Sequence, residues 1–325
     1  MKRREFITLL GGAAAAWPLA AGAQQVRPVR VGYLGLTSIG AHAERLGALQ
    51  AGLRDLGYVE GKSIVLEYRW AEGRYDLLNE LAAELVRANV DVIVTHGTPG
   101  VLAAKHATST IPIVIAAVGD AVASGLVTSI SRPGGNVTGM TYFHPELAAK
   151  RLELVKEAVP TITKVGVLIN PLNPMNEPIL PEMKQAADAL KVELLPLRAT
   201  EPGNFEGAFT TAAAHAVGAL VLLDDPVFTS HPQTLAQLAI RQRLPSSGFI
   251  ESARAGGLLA YGVSFPEMWR HVATYIDKIA KGAKPADLPI ELPTRFRTIV
   301  NLRTAKAIEV EVPTSLLLRA DEVIE

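Results

Sequence analysis

The sequence has no cysteine, only 6% aromatic residues and no excess of either charge, with 32 Lys+Arg against 32 Asp+Glu in 325 residues. Without cysteine there is no disulfide framework, thiol nucleophile, zinc-thiolate site or lipidated N-terminal cysteine. A balanced charge total lacks the basic footprint with which nucleic-acid-binding proteins neutralise phosphates, so no nucleic-acid partner is expected. What is present is apolar: at 49% hydrophobic residues the chain has the reverse of a disordered composition and can bury a sizeable core. Its 325 residues, at roughly 150 per domain, suggest two domains.

Enzyme signatures are also missing. There is no Gly-x-Ser-x-Gly elbow and no Gly-x-x-x-x-Gly-Lys-Ser/Thr phosphate loop. His42, His96, His106, His144, His215, His231 and His271 are scattered and form no His-Glu-x-x-His pair; neither a metal site nor a cofactor is expected. Asp224-Asp225 could serve as paired carboxylates in acid/base chemistry. The plainer reading of such a pair is one helix cap and one solvated charge.

The N-terminus carries Lys2-Arg3-Arg4, an uncharged stretch from Phe6 to Ala23, and a small-x-small end, Ala21-Gly22-Ala23. This is the pattern of a secretory signal peptide, residues 1–23, and Arg3-Arg4 with Phe6 and Leu9 is of the twin-arginine type. Eighteen uncharged residues approach the length of a membrane span, but the Ala/Gly composition, Pro18 and the cleavage site favour a leader that is removed. Its removal leaves 29 basic and 31 acidic residues, a near-neutral chain expected in the periplasm.

After Gln24, β-branched runs alternate with amphipathic stretches. Strands are expected at Val29–Leu34, Ile64–Arg69, Val90–Thr95 and Ile111–Val118, with helices at Ala41–Leu56 and Tyr75–Ala88 between them. The order restarts with strand Lys164–Ile169, helix Met175–Leu190, strand Val192–Leu197, helix Phe205–Ala216 and strand Ala219–Leu223. The centres of the second and third strands, Val65 and Val92 then Glu193 and Leu220, lie 27 residues apart in both halves. Strands separated by helical stretches imply crossover units and parallel sheets, so the expected class is α/β with two Rossmann-like lobes. A late helix, Glu267–Lys281, and an apolar run ending at Asn301 suggest that the chain crosses between lobes three times, making a hinge. The expected division is 24–143 plus 265–294 for one lobe and 144–264 plus 295–325 for the other.

In open parallel sheets, ligands gather beyond the carboxyl ends of strands, where helix N-termini present free N–H groups. The turns there are polar: Thr37-Ser38, Thr95-His96-Gly97-Thr98-Pro99, Gly119-Asp120, Asn170 to Asn176, and Asp224-Asp225-Pro226. Thr98 is a candidate N-cap with Pro99 at the first helical position. Tyr142 and Tyr261 stand beside the expected crossings, and tyrosine can cover an apolar group while donating a hydrogen bond. Either could equally be a core residue.

Across almost the whole chain after the leader, these motifs resemble the solute-binding proteins of bacterial ATP-driven importers, in the family with tryptophan- and phenylalanine-binding members. The resemblance is carried by Gly57-Tyr58-Val59-Glu60-Gly61-Lys62, Thr98-Pro99, Ile111-Pro112-Ile113-Val114, Gly119-Asp120, Arg132-Pro133-Gly134-Gly135-Asn136-Val137-Thr138-Gly139, Pro160, Lys164-Val165-Gly166-Val167, Asn170-Pro171, Asp224-Asp225-Pro226 and Asn301. It implies a type I periplasmic-binding fold, no catalysis, and an inner-membrane ABC permease as partner. The implied solute is a small organic molecule such as an aromatic amino acid or related carboxylate. The cleft residues it implies are Thr98, Asp120, Tyr142, Asn170, Asn176 and Asp224, with Ser38 and Tyr261 added. Thr98 is the candidate for an anionic group, Asp120 or Asp224 for an ammonium and Tyr142 for an apolar ring. Where relatives have Asp-Pro this chain has Asp120-Ala121, which leaves the backbone after Asp120 less fixed. A monomer is expected; an exported enzyme using Asp224 and Asp225, or a ligand-sensing partner of a membrane receptor, are the competing roles.

Overall fold

The computed structural model describes residues 27–142 and 144–325; the expected leader lies outside the described residues. The first half of the chain runs β1 (Val29–Gly35), α1 (Ala43–Asp55), β2 (Ile64–Trp70), α2 (Leu78–Arg87), β3 (Val92–Thr95), α3 (Gly97–Ala107), β4 (Ile113–Ile115) and β5 (Val137–Gly139). Its strands form one parallel sheet in the order β2-β1-β3-β4-β5. Every residue of β3 and β4 is buried, as continuous apolar strands covered on both faces should be. β5 directly follows the turn Pro133-Gly134-Gly135-Asn136 and is not among the strands expected from the sequence. Gly134 and Gly135 turn the chain at positive φ, and the Asn136 side-chain amide donates to the carbonyls of Thr108 and Ile111, pinning the loop beside β4.

The second half runs α4 (His144–Ala158), β6 (Lys164–Ile169), α5 (Asn176–Leu190), β7 (Glu193–Arg198), α6 (Phe205–Ala214), β8 (Ala219–Leu222), α7 (Pro226–Thr229), α8 (Pro232–Arg241), β9 (Ser246–Gly248), α9 (Ile250–Arg254) and β10 (Leu259–Gly262). Then come α10 (Phe265–Ala280), β11 (Arg297–Asn301), α11 (Leu302–Ala307), α12 (Thr314–Leu317) and β12 (Glu322–Ile324). The second sheet has seven strands in the order β12-β11-β10-β9-β8-β6-β7.

The last elements split between the two sheets. α10 buries Phe265, Met268, Trp269, Val272, Ala273, Tyr275 and Ile276, an apolar stripe at helical spacing, and packs along α1 of the first lobe. Gly52 makes that contact close: a Cβ there would lie 2.4 Å from the Arg270 carbonyl oxygen. β11 and β12 belong instead to the second sheet. The chain therefore passes between the sheets near Thr141, between Gly262 and Phe265, and after Glu291. Two of these passages are laced together, since Thr141 N–H donates to Glu291 O at 3.0 Å and Glu291 N–H donates to Gly139 O at 2.9 Å.

One sheet departs from the all-parallel expectation, because β10 and β11 pair antiparallel, Leu259 opposite Val300. The route of the chain explains it. β10 runs toward the hinge, while β11 enters from the hinge after the excursion through α10, with no crossover helix to reverse its direction.

Candidate functional site

The carboxyl ends of the two sheets face each other across a cavity of about 30 Å³. On the first lobe it is lined by Arg45 of α1, by His96, Gly97 and Thr98 after β3, by Ala117 and Gly119 after β4, and by Phe265 and Trp269 of α10. The second lobe contributes Asn173 and Met175 after β6, Asp224 to Pro226 after β8, and Thr229 of α7, while Tyr142 stands at the first crossing. Such a volume holds about one water molecule, against the roughly 300–1,000 Å³ of a small-molecule site.

The cavity is small because the lobes touch directly. Tyr75 donates its hydroxyl to Asp225 Oδ1 at 3.1 Å, Thr37 Oγ1 and Ser230 Oγ lie 2.7 Å apart, and Arg45 Nη1 donates to Thr229 Oγ1 at 3.4 Å. Gly97 adopts φ +65°, and a Cβ there would stand 2.9 Å from Pro226 Cγ of the other lobe. A side chain at this position would hold the lobes apart.

Two carboxylates sit on the floor of the second lobe, both already engaged. Asp224 pairs with Arg151, with Nη1–Oδ2 at 3.0 Å and Nη2–Oδ1 at 3.1 Å. Arg151 is 1% exposed and also donates to the carbonyls of Tyr261 and Leu222, so it ties α4 to β8 and β10. Asp225 accepts from the Asn170 and Asn173 side-chain amides, from Val227 N–H and from Tyr75, and caps α7. Burial raises its carboxyl above the usual range, with the amide donors of Asn170 and Asn173 pulling the other way.

The first lobe brings together two histidines 54 positions apart: His42 Nε2 and His96 Nε2 lie 2.9 Å from each other. Tyr33, Trp70 and Trp269 surround them, and Trp269 Nε1 donates to Tyr33 Oη at 3.0 Å. Burial, and secondarily the charge of Arg45, lowers His42 to about 3; His96 is lowered for the same first reason, with His42 and Arg45 adding to it. Both rings are neutral at neutral pH, one donating to the other. Among the described residues no group of three or more His, Asp or Glu could hold a metal ion.

Arg45 is buried, 5% exposed. Its guanidinium lies over the rings of Phe265 and Trp269, 4.8 and 5.4 Å from their centroids. Arg45 and Thr229 also border a second cavity of about 440 Å³ on the solvent side, which Glu44, Glu251 and Arg254 help to line.

Of the residues selected from sequence, the structure brings Thr98, Tyr142 and Asp224 to the inner cavity. Thr98 is within the first turn of α3 instead of ahead of it, because the helix starts at Gly97, whose N–H is taken by the Ala117 carbonyl. Tyr142 is buried and meets Phe265 edge-on, 5.7 Å between centroids. Asn170 and Asn176 lie behind the cavity wall: Asn176 Oδ1 accepts from Asn170 N–H while Asn170 holds Asp225. Asp120 accepts from the N–H groups of Val122 and Ala123, closing its own turn. Ser38 accepts from Ala41 N–H, and Tyr261 stacks on Phe296 at the crossing. Arg45, Arg151, Phe265 and Trp269 join the site without a local sequence signal. Arg45 and Trp269 sit inside amphipathic helices, and only the return of α10 to α1 brings them together.

A family model described as ABC transporter substrate binding protein matches residues 36–324. A tyrosine-binding protein of Clostridioides difficile (strain R20291) is 26% identical over 260 residues, which cover 80% of this chain and 74% of that protein. A conserved domain protein of Vibrio cholerae O1 biovar El Tor has a solved structure with TM-score 0.85 and 26% identity, covering 91% of this chain and 100% of its own. The ABC domain of Streptococcus pneumoniae, solved in complex with L-Trp, has TM-score 0.81 and 24% identity, covering 90% of this chain and 100% of its own.

Proposed function

This chain belongs to the ABC transporter substrate binding protein family, and from that premise we propose that it binds a small organic solute, an aromatic amino acid or related carboxylate, between its two lobes. The family and the type I periplasmic-binding architecture, two mostly parallel sheets facing across a cleft, set the role: a receptor that delivers substrate to an ABC transporter. The observation that carries the rest is the cavity itself, walled by both lobes, lined by Phe265, Trp269 and Tyr142, and closed by hydrogen bonds from one lobe to the other.

The cavity is smaller than such a solute, so binding requires the lobes to separate and close again. The passages at Thr141, Gly262–Phe265 and Glu291 form the hinge, and the lobes comprise 24–143 plus 265–294 and 144–264 plus 295–325. A solute drives closure only if it contacts both lobes, because only differential affinity for the closed form shifts the equilibrium. We place Thr98, Tyr142 and Asp224 against the solute, while Asn170 and Asn173 hold Asp225 and Asn176 fixes Asn170. The engagement of Asp225 by four donors and of Asp224 by Arg151 weighs against acid/base catalysis, which needs a carboxylate within reach of a proton on the substrate.

In this reading residues 1–23 direct export through the twin-arginine route. The receptor works in the periplasm as a monomer and passes its solute to an inner-membrane permease. Among the described residues no helix is long and apolar enough to cross a membrane. Mass spectrometry of small molecules released by denaturing the purified protein tests the reading. A stoichiometric organic molecule that rebinds and raises the melting temperature is the expected outcome; release of nothing, together with no thermal shift across amino acids and aromatic acids, contradicts it.

A further inference from the structure

We infer that the solute is a zwitterion bound by two residues outside the sequence-derived set: Arg45 of the first lobe takes its carboxylate and Glu251 of the second takes its ammonium. The inference rests on the solute-receptor reading above and names the chemistry of its site.

Arg45 is a buried cation with no anion at ion-pair distance among the described residues. Among the described residues its side chain makes one hydrogen bond, the long one to Thr229 Oγ1 at 3.4 Å, and no ion pair. A guanidinium has five N–H donors, and their bidentate geometry fits a carboxylate. The stacking of its faces on Phe265 and Trp269 leaves those in-plane donors for a ligand. On the facing wall Glu251 Oε2 is buried and has no hydrogen-bond partner, a costly condition for a carboxylate. Arg45 and Glu251 line the same 440 Å³ cavity, whose volume falls in the range of small-molecule sites. Arg45 attracts Glu251 through space, yet the two stop short of ion-pair distance.

The other carboxylates of the cleft are poor receptors for an ammonium, since Asp224 is held by Arg151 and Asp225 by Asn170, Asn173, Val227 and Tyr75. A zwitterion between Arg45 and Glu251 satisfies both open groups. It also bridges the lobes, which is the condition for closure. When Arg45 exchanges Thr229 for the solute carboxylate, the inner and outer cavities join, and the side chain of the solute can lie along Phe265, Trp269 and Tyr142.

The test is isothermal titration of the full-length mature protein, freed of bound molecules by unfolding and refolding, with L-phenylalanine, 3-phenylpropanoate and phenethylamine. The wild type should bind L-phenylalanine at least 100-fold more tightly than either truncated compound. Glu251→Gln should weaken L-phenylalanine by 10-fold or more while leaving 3-phenylpropanoate unchanged. Arg45→Gln should weaken L-phenylalanine and 3-phenylpropanoate but spare phenethylamine. Arg45→Lys and Glu251→Asp replace any variant whose melting curve shows loss of folding. Equal affinity for L-phenylalanine and 3-phenylpropanoate, or variants that bind like the wild type, overturn the inference. If none of the three binds, the molecule released on denaturation decides: one bearing both amine and carboxylate supports the inference, and any other overturns it while leaving the solute-receptor reading intact. No released molecule and no binding overturn both.

Discussion

Tyr75, on a short turn of the first lobe, donates its hydroxyl to Asp225 Oδ1 of the second at 3.1 Å. The bond exists only while the lobes are together. Asp225 has three other donors to keep it satisfied when the lobes part, so the hydrogen bond favours closure without being needed for folding. Tyr75→Phe removes the hydroxyl and little else. A typical intramolecular hydrogen bond contributes about 1 kcal/mol, so the variant should bind solute roughly 5-fold more weakly with an unchanged fold, as read by titration calorimetry and circular dichroism.

Arg151 and Asp224 behave differently, because their pair lies inside one lobe and both side chains are nearly inaccessible, 1% and 2% exposed. Removing one partner strands a buried charge, which costs ~3–5 kcal/mol. Arg151→Met should therefore lower stability by that order in chemical denaturation. The double change Arg151→Met with Asp224→Leu should recover most of the loss, since replacing both charges by apolar groups of similar volume is often neutral.

The buried His42–His96 pair predicts how stability depends on pH. Both rings titrate lower in the folded protein than in the unfolded chain, His42 at about 3 against roughly 6.5 when unfolded. Between those values the unfolded chain binds more protons, so stability falls as pH drops below about 6.5, by up to ~1.4 kcal/mol per pH unit for each histidine. Asp225 and Glu251, raised by burial, act with the opposite sign: their contribution is present at low pH and is lost as pH rises through their elevated values. Between pH 7 and 4.5 the wild type should lose stability relative to His42→Gln by about one proton's worth per pH unit, as read from paired melting curves. A slope identical in wild type and variant would contradict the neutral pair.

Trp269 offers an optical reading of the cleft. Of the two tryptophans among the described residues, Trp70 and Trp269, only Trp269 lines the inner cavity. Solute binding should change the intrinsic fluorescence, and Trp269→Phe should abolish most of the change while the solute still binds. An undiminished signal in the variant would place the solute elsewhere.

Much of this architecture was legible from alternation alone. β6 and α5 fall within a residue of their expected limits, because a β-branched run bounded by turn residues and an apolar stripe of period 3.6 are local signals. β5, β9 and β12 are three residues each, too short to show a period, and owe their place to the sheet beside them. The antiparallel direction of β11 depends on the route of the chain through the hinge, which no window of sequence contains. The site shows the same division. Polar turns after β3 and β8 led to Thr98 and Asp224, whereas Arg45, Glu251 and Trp269 sit in helices and acquire their roles through contacts 184 and more positions distant, as between Arg45 and Thr229. His42 and His96, unremarkable as isolated histidines, become a pair only in the fold.

A solute held between the lobes should draw them together. Small-angle X-ray scattering of the protein emptied by unfolding and refolding, then titrated with the molecule it releases on denaturation, measures this movement. The emptied protein should have the larger radius of gyration, with a saturable decrease on titration that ends at a curve matching the closed arrangement held by Tyr75 and Asp225. An unchanged radius of gyration at saturating solute would contradict it.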